Sequence, residues 1–440
     1  MNDSETSQIK EEDYYLIVES AGSIIYEMIE NNPMIYSQPS FSDIIYNNTT
    51  EVLMCQLQNI FSFEELSNYV ESATLEAITI YHTYVSPRRS YPDTFIRRKP
   101  NIEKMTKKID YLKNIPQPEQ RTKEWYMFRH KYLTASSLWK AFGTQRAQNE
   151  LIYGKCCPID LERYTRVNTE SPMHWGQKYE DVSIELYEKI YKTKISDFGC
   201  IPHRNVSFLA ASPDGINTDE TSNIYGRMLE VKNIFNREIN GNPKLEYWIQ
   251  MQLQMEVCDL NECDFLETRF KEYQDTDEMT AYQQYEADGE FHETKEGDPK
   301  GIIMYFIKDG LPLYEYAPIG LSIKEFKEWE LQKMNLHDNL TWVKNIYWKL
   351  DEISCVLVLR NKIWFNYALP ILENLWKTIE KEKKEGYEHR APTRKSKSTP
   401  ITEVSKISEC FINPENFILN DSNQSVFQEK STNNVINIIT

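Results

Sequence analysis

The stretch "RMLEVKNIF", Arg227 to Phe235, places a glutamate and a lysine two residues apart inside an apolar run. Alternation with period two fits a β-strand whose Val231 face is buried, with Glu230 and Lys232 side by side on the opposite face. A short way upstream, "SFLAASPDGI" is a second apolar run broken by a proline and a glycine, with Asp214 at its end and Gly215 free to turn. If the two strands are antiparallel neighbours, Asp214, Glu230 and Lys232 converge on one point. Taken alone, the pattern is equally an ion pair across a hairpin, worth at most about 1 kcal/mol.

The chain around these strands has 440 residues and suits two to three domains. An apolar fraction of 40% and 28 tyrosines supply a real interior. Residues 1–115 read as a helical N-terminal domain, with apolar positions at helical spacing in "YLIVESAGSIIYEMI" and "YVESATLEAITIYHTYV". Pro116 and Pro118 mark a boundary. From there to residue 385 short strands alternate with helices, ending in an amphipathic helix, "NKIWFNYALPILENLWKTIEKEKKEG", interrupted at Pro370. Residues 386–440 are rich in Ser, Thr and Asn and read as a disordered tail.

No run of eighteen apolar residues occurs and the N-terminus is acidic and polar, so the expectation is an intracellular, soluble protein that is not secreted and has no membrane partner. The eight cysteines lack zinc-ligand spacing and read as free thiols, mostly small buried hydrophobes. No Walker-type phosphate loop is present, which argues against ATP use. The net charge of −17 excludes indiscriminate coating of nucleic acid. Charge is nevertheless segregated. Residues 271–300 carry ten acids against three bases and read as a surface insertion, while residues 88–108 carry eight bases against two acids. That basic stretch is either a guide for an anionic partner or a solvated helix.

Two further segments bear on the strands. "PMHWGQKYEDVSIELYEKIY" reads as a helix whose core face is Val182, Ile184, Leu186, Tyr187 and Ile190, with Glu180 near its beginning. "LEYWIQMQLQMEVC" is a second helix with Gln250 and Gln254 on one face. Three glutamines in five residues of an apolar helix need buried partners. Upstream, "EWYMFRHKYLTASSLWKAF" gathers Arg129, Lys131, Thr134 and Ser136 before a helix. Thr134 or Ser136 serves either as an N-cap or, with Arg129, as part of a pocket for a terminal phosphate.

As a set, "WYMFRHKYLTAS", "WGQKYE", "SPDG", "LEVK" and "YWIQMQLQM" resemble the lambda exonuclease and YqaJ-type viral recombinase group of restriction-endonuclease-like nucleases, over roughly residues 120–385. The resemblance implies an α/β (α+β) fold with a central mixed sheet flanked by helices across residues 116–385, and a metal-dependent DNA nuclease acting from linear duplex ends. It implies that Asp214 and Glu230 ligate Mg²⁺, with Mn²⁺ as the alternative ion, and that the Val231 carbonyl adds a ligand. Glu180 would assist the metal, Lys232 would be the catalytic lysine, and Gln250 would position water or substrate. Arg129, Ser136 and Thr134 would seat a 5′ phosphate. Recombination, repair or replication of viral DNA is the implied setting, in host cytoplasm or nucleus, with a single-strand annealing partner and a homo-oligomer as implied associations. A structure-specific endonuclease of the same fold and a non-catalytic DNA-end-binding protein are the competing readings.

Overall fold

The computed structural model describes residues 10–58, 63–161 and 167–392. Its first part is helical: α1 (Glu11–Asn31), α2 (Phe41–Leu57), α3 (Phe63–Tyr84) and α4 (Ile102–Asn114). Helix α5 (Lys123–His130), strand β1 (Leu133–Thr134), α6 (Ala135–Leu138) and α7 (Gln145–Cys156) lead to the long α8 (Pro172–Tyr191). Short strands β2 (Ile195–Ser196), β3 (Ile201–Pro202), β4 (Leu209–Ala211) and β5 (Gly215–Asn217) precede β6 (Met228–Asn233), α9 (Leu245–Cys258) and β7 (Glu262–Glu272). The chain continues through α10 (Ala281–Ala287), β8 (Lys300–Lys308), β9 (Leu311–Tyr316), α11 (Ile323–Leu336), β10 (Thr341–Leu359) and α12 (Lys362–Glu385).

Seven strands form the main sheet in the order β2-β5-β6-β7-β10-β8-β9. β6 and β7 run parallel and the other neighbours antiparallel, so the sheet is mixed, as expected. The parallel pair requires a crossover, and α9 supplies it. β10 is 19 residues long and serves two partners: its first half pairs with β8 and its second with β7. A smaller sheet, β1-β4-β3, carries the strand before Asp214.

Helix α9 is buried on nearly every face, Trp248 to Met255 without interruption. A helix apolar all round is driven to the centre of the fold. There Trp248 meets Trp364 of α12 edge-on at 5.2 Å, a geometry worth about 0.5–1.5 kcal/mol beyond area burial. One apolar cluster extends from Ile17 in α1 through α9 to Ile379 in α12, so the N-terminal helices share a core with the sheet-bearing part.

Several local expectations change in the fold. α12 runs unbroken through Pro370. An interior proline costs about 3 kcal/mol, which burial of Trp364, Phe365, Ala368, Leu372 and Ile379 on both sides of it outweighs. Ile190 is 52% exposed and lies off the core face of α8. The acidic stretch 271–300 is anchored as well as exposed: Tyr285 packs with Ile302, Ala317 and Phe326, and the buried Lys300 ammonium donates to the Tyr285 and Asp288 carbonyls, both at 2.5 Å. In the basic stretch only 102–108 is helical, and Arg89 is buried, donating to Ser37, Asn242 and Pro243. Arg97, Arg98 and Lys99 are exposed.

Of the region read as a disordered tail, 393–440 lie outside the described residues; before them Arg390 is held by Glu382 at 2.5 and 2.6 Å. Among the described residues all cysteines are free thiols; Cys156, Cys200, Cys258 and Cys263 are buried and Cys55 is exposed. No helix among them is long and apolar enough to cross a membrane.

Candidate active site

β5 and β6 pair antiparallel with Gly215 opposite Leu229, which brings Asp214 to the side of β6. The Asp214 carboxylate accepts the Val231 N–H at 2.8 Å, and the Lys232 ammonium lies 3.9 Å from the same oxygen. Lys232 also donates to Glu230 Oε1 and, at 3.2 Å, to the Val231 carbonyl. Period two does what the sequence implied: Glu230 and Lys232 share a face and Asp214 joins them from the neighbouring strand.

Glu230 is 0% exposed, which a carboxylate tolerates only with donors around it. Gln250 Nε2 donates to Oε1 at 2.6 Å and Gln254 Nε2 to Oε2 at 2.7 Å. Glu230 itself is therefore the buried partner that these two glutamines of α9 require, and Gln250 faces the carboxylate directly. Gln252 points the other way, between the Leu359 carbonyl and the Asn361 N–H. Gln254 reaches further, to the Ser212 carbonyl at 3.1 Å, while its own buried Oε1 has no protein partner among the described residues.

Glu180 projects from the middle of α8 and pairs with Arg121 at 2.7 Å. Burial, and next the charge of Asp214, push the Glu180 and Glu230 carboxyls up to about 7. Burial works against the Lys232 ammonium, but Glu230 and then Asp214 outweigh it and hold its pKa above the ordinary lysine value.

Asp214, Glu180, Glu230 and the Val231 carbonyl are all oxygen donors, the set that a hard divalent cation takes. Among the described residues no three His, Cys, Asp or Glu side chains close into a ready metal-binding group. Lys232 and the two glutamines occupy Glu230, and Arg121 occupies one oxygen of Glu180. Asp214 Oδ1 and Glu180 Oε1 have no polar protein partner among the described residues. Three carboxylates whose charges oppose one another, two of them with an oxygen to spare, fit a cation such as Mg²⁺ held largely through water.

The second cluster adjoins the first. Arg129 donates to Ser136 Oγ at 2.8 Å and to Ser212 Oγ at 3.3 Å, with its guanidinium over the Trp125 ring at 4.2 Å. Lys155 donates to the Arg129 carbonyl at 2.9 Å. Burial, followed by the charge of Arg129, pushes the Lys155 ammonium down to about 7. Thr134 is buried in β1, opposite Ala210, and occupies the N-cap of α6 without a side-chain cap bond. Ser136 thus joins Arg129, while Thr134 stays buried in the strand before it.

Sequence reasoning missed Ser212, although it opens the "SPDG" motif: two residues before Asp214, it links the arginine cluster to the carboxylates. Arg121 carried no signal. Glu267 sits in register with Lys232 on the adjacent parallel strand and binds Arg237, whose guanidinium and the Lys232 ammonium share the Tyr247 ring. Only the strand register reveals that neighbour.

Residues 124–261, which hold both clusters apart from Arg121, match the YqaJ-like viral recombinase domain. Over 349 residues the chain is 27% identical to an uncharacterized protein of Acanthamoeba polyphaga mimivirus, covering 70% of this chain and 61% of that protein's length. Crystal structures of an alkaline exonuclease from Laribacter hongkongensis, one of them in complex with dAMP, are 16% and 17% identical. Each superposition covers 61% of this chain and 97% of the other, with a TM-score of 0.35. Within the matched stretch fall Arg129, Ser136, Glu180, Asp214, Glu230, Lys232 and Gln250.

Proposed function

We propose that the chain is a metal-dependent DNA nuclease, an end-dependent 5′-to-3′ exonuclease serving viral DNA recombination, repair or replication. The observation that carries this reading is the convergence of Asp214, Glu230 and Lys232 where β5 begins beside β6, with both Glu230 oxygens held by glutamines. A surface ion pair has no use for a fully buried carboxylate. A pure DNA binder would not set carboxylates where phosphate must lie.

In this reading Asp214, Glu230, Glu180 and the Val231 carbonyl hold Mg²⁺ or Mn²⁺. When bound, the ion acidifies water and offsets charge on the scissile phosphate. Lys232, kept protonated by its carboxylate neighbours, is a fixed cation that orients water and stabilises the charge developing on phosphate oxygens. Gln250 and Gln254 hold Glu230 in place. Arg129, Ser136 and Ser212 seat the terminal 5′ phosphate, and the Ser212-Pro213-Asp214 link sets its distance from the cleaved bond. The activity is assigned to residues 116–385, and residues 1–115 add the exposed basic segment at Arg97–Lys99 as a guide for duplex. A homo-oligomer and a single-strand annealing partner belong to the same proposal.

Digestion of a linear duplex labelled at each end, and of a closed circle, with Mg²⁺ or EDTA, tests this. Metal-dependent release from 5′ ends by the wild type and none by Lys232→Ala is the expected result. Cleavage of circles or branched duplexes would favour an endonuclease. Tight binding to ends without cleavage in any metal would favour a non-catalytic end-binding protein.

A further inference from the structure

The segment leading into α5 is fastened close to the carboxylates. Gln117 donates to the Leu112 carbonyl at 3.0 Å and accepts the Gly199 N–H at 2.6 Å. Gln120 donates to the Phe198 carbonyl at 2.8 Å and reaches the carbonyl of Pro213, the residue before Asp214, at 3.5 Å. Thr122 caps α5 by accepting the Trp125 N–H at 3.2 Å. Between these anchors Arg121 stands at φ +68°, a left-handed conformation that costs a residue with a Cβ about 1–2 kcal/mol.

That backbone delivers one contact of note, from Arg121 Nη2 to Glu180 Oε2 at 2.7 Å, with the arginine side chain 47% exposed. A pair open to solvent to this degree returns at most about 1 kcal/mol. The conformation is therefore not explained by the stability of the ion pair. Costly backbone states held in place by neighbouring anchors concentrate at functional sites. Here the arginine rests on a carboxylate of the candidate metal set. A dication on Glu180 would repel the guanidinium, whereas DNA arriving with the dication brings phosphate oxygens that suit its planar fork.

We propose that Arg121 is a displaceable counter-ion: it covers Glu180 in the metal-free protein, leaves when a divalent cation takes that carboxylate, and then grips a phosphate of the bound DNA. The proposal rests on the nuclease reading, and it assigns the metal and DNA responses to one residue upstream of both clusters.

The test uses the full chain and Arg121→Gly, since glycine adopts φ +68° freely and keeps the loop. Mn²⁺ binding without DNA is measured from the free-ion spin resonance signal. Duplex binding is then followed against salt in Ca²⁺ and in EDTA, using phosphorothioate ends that resist cleavage. The expected result is that Arg121→Gly binds Mn²⁺ about three- to fivefold more tightly than wild type. Its salt slope should fall by about 0.9 in Ca²⁺ and stay unchanged in EDTA, where Glu180 holds the arginine. Unchanged or weaker Mn²⁺ binding by the variant, beside normal binding by wild type, overturns the counter-ion role and leaves the nuclease reading standing. An equal slope change with and without Ca²⁺ overturns the metal-triggered release. Absence of Mn²⁺ binding by wild type overturns both this proposal and the metal reading.

Discussion

Gln254 and Glu230 meet across the packing of α9 on β6, with the amide nitrogen 2.7 Å from the carboxylate oxygen. Gln254→Ala leaves one oxygen of a fully buried carboxylate without its donor. The expected loss is about 1–3 kcal/mol of stability and, by analogy with groups that orient metal ligands, about 10–100-fold in turnover. Denaturant melts and initial rates read the two effects separately. Full turnover in a destabilised variant would reduce Gln254 to a structural donor.

The Glu180 and Glu230 carboxyls, pushed up to about 7 by burial and then by Asp214, set a pH dependence. Protons compete with the dication below that value, so the Mg²⁺ concentration for half-maximal cleavage should fall as pH rises from about 5.5 to 7 and then level off. Stability of the metal-free protein should fall over the same rise in pH. The folded chain keeps protons that the unfolded chain has released above about 4.5, so stability declines as pH rises from about 4.5 to 7. Asp214→Asn removes the second cause and should shift the stability profile to lower pH. A half-maximal Mg²⁺ concentration independent of pH would argue against carboxylate ligation.

Arg129 over Trp125, reaching Ser136 and Ser212, gives a prediction on substrate ends. Arg129→Ala should erase the preference for 5′-phosphorylated over 5′-hydroxyl duplex, a loss of about 10–100-fold for a charge-assisted hydrogen bond. Ser212→Ala should weaken it partially. Competition between the two duplex types measures it. Equal loss on both would mean that the cluster serves general binding.

Arg227 is buried beside Asp264 and Glu262, and donates to Thr94 and to the Phe95 carbonyl, just ahead of the exposed Arg97–Lys99 segment. Arg227→Ala strands the buried Asp264 and should cost about 3–5 kcal/mol. Adding Asp264→Asn should recover part of that loss in thermal melts. Neutralising Arg97, Arg98 and Lys99 together should lower the salt slope of duplex binding by about 0.9 for each phosphate deprived of its basic partner. An unaltered slope would return the segment to plain solvation.

What the sequence by itself determined lies within single elements. Backbone geometry repeats every two residues in a strand and every 3.6 in a helix, so "LEVK" alone put Glu230 and Lys232 on one face and "WIQMQLQ" alone put Gln250 and Gln254 on another. The helical N-terminal region was legible for the same reason, whereas the mixed sheet flanked by helices was implied by the family resemblance. Which elements meet was decided by the tertiary structure. The parallel β6–β7 pair and its α9 crossover turned two glutamines onto Glu230, β5 brought Asp214 beside Val231, and the loop anchored at Gln120 set Arg121 on Glu180. Pro370 stayed helical because packing on both sides outweighed a local penalty. Contacts between residues distant in the chain depend on strand order, register and competition for a shared core, and no local period encodes these.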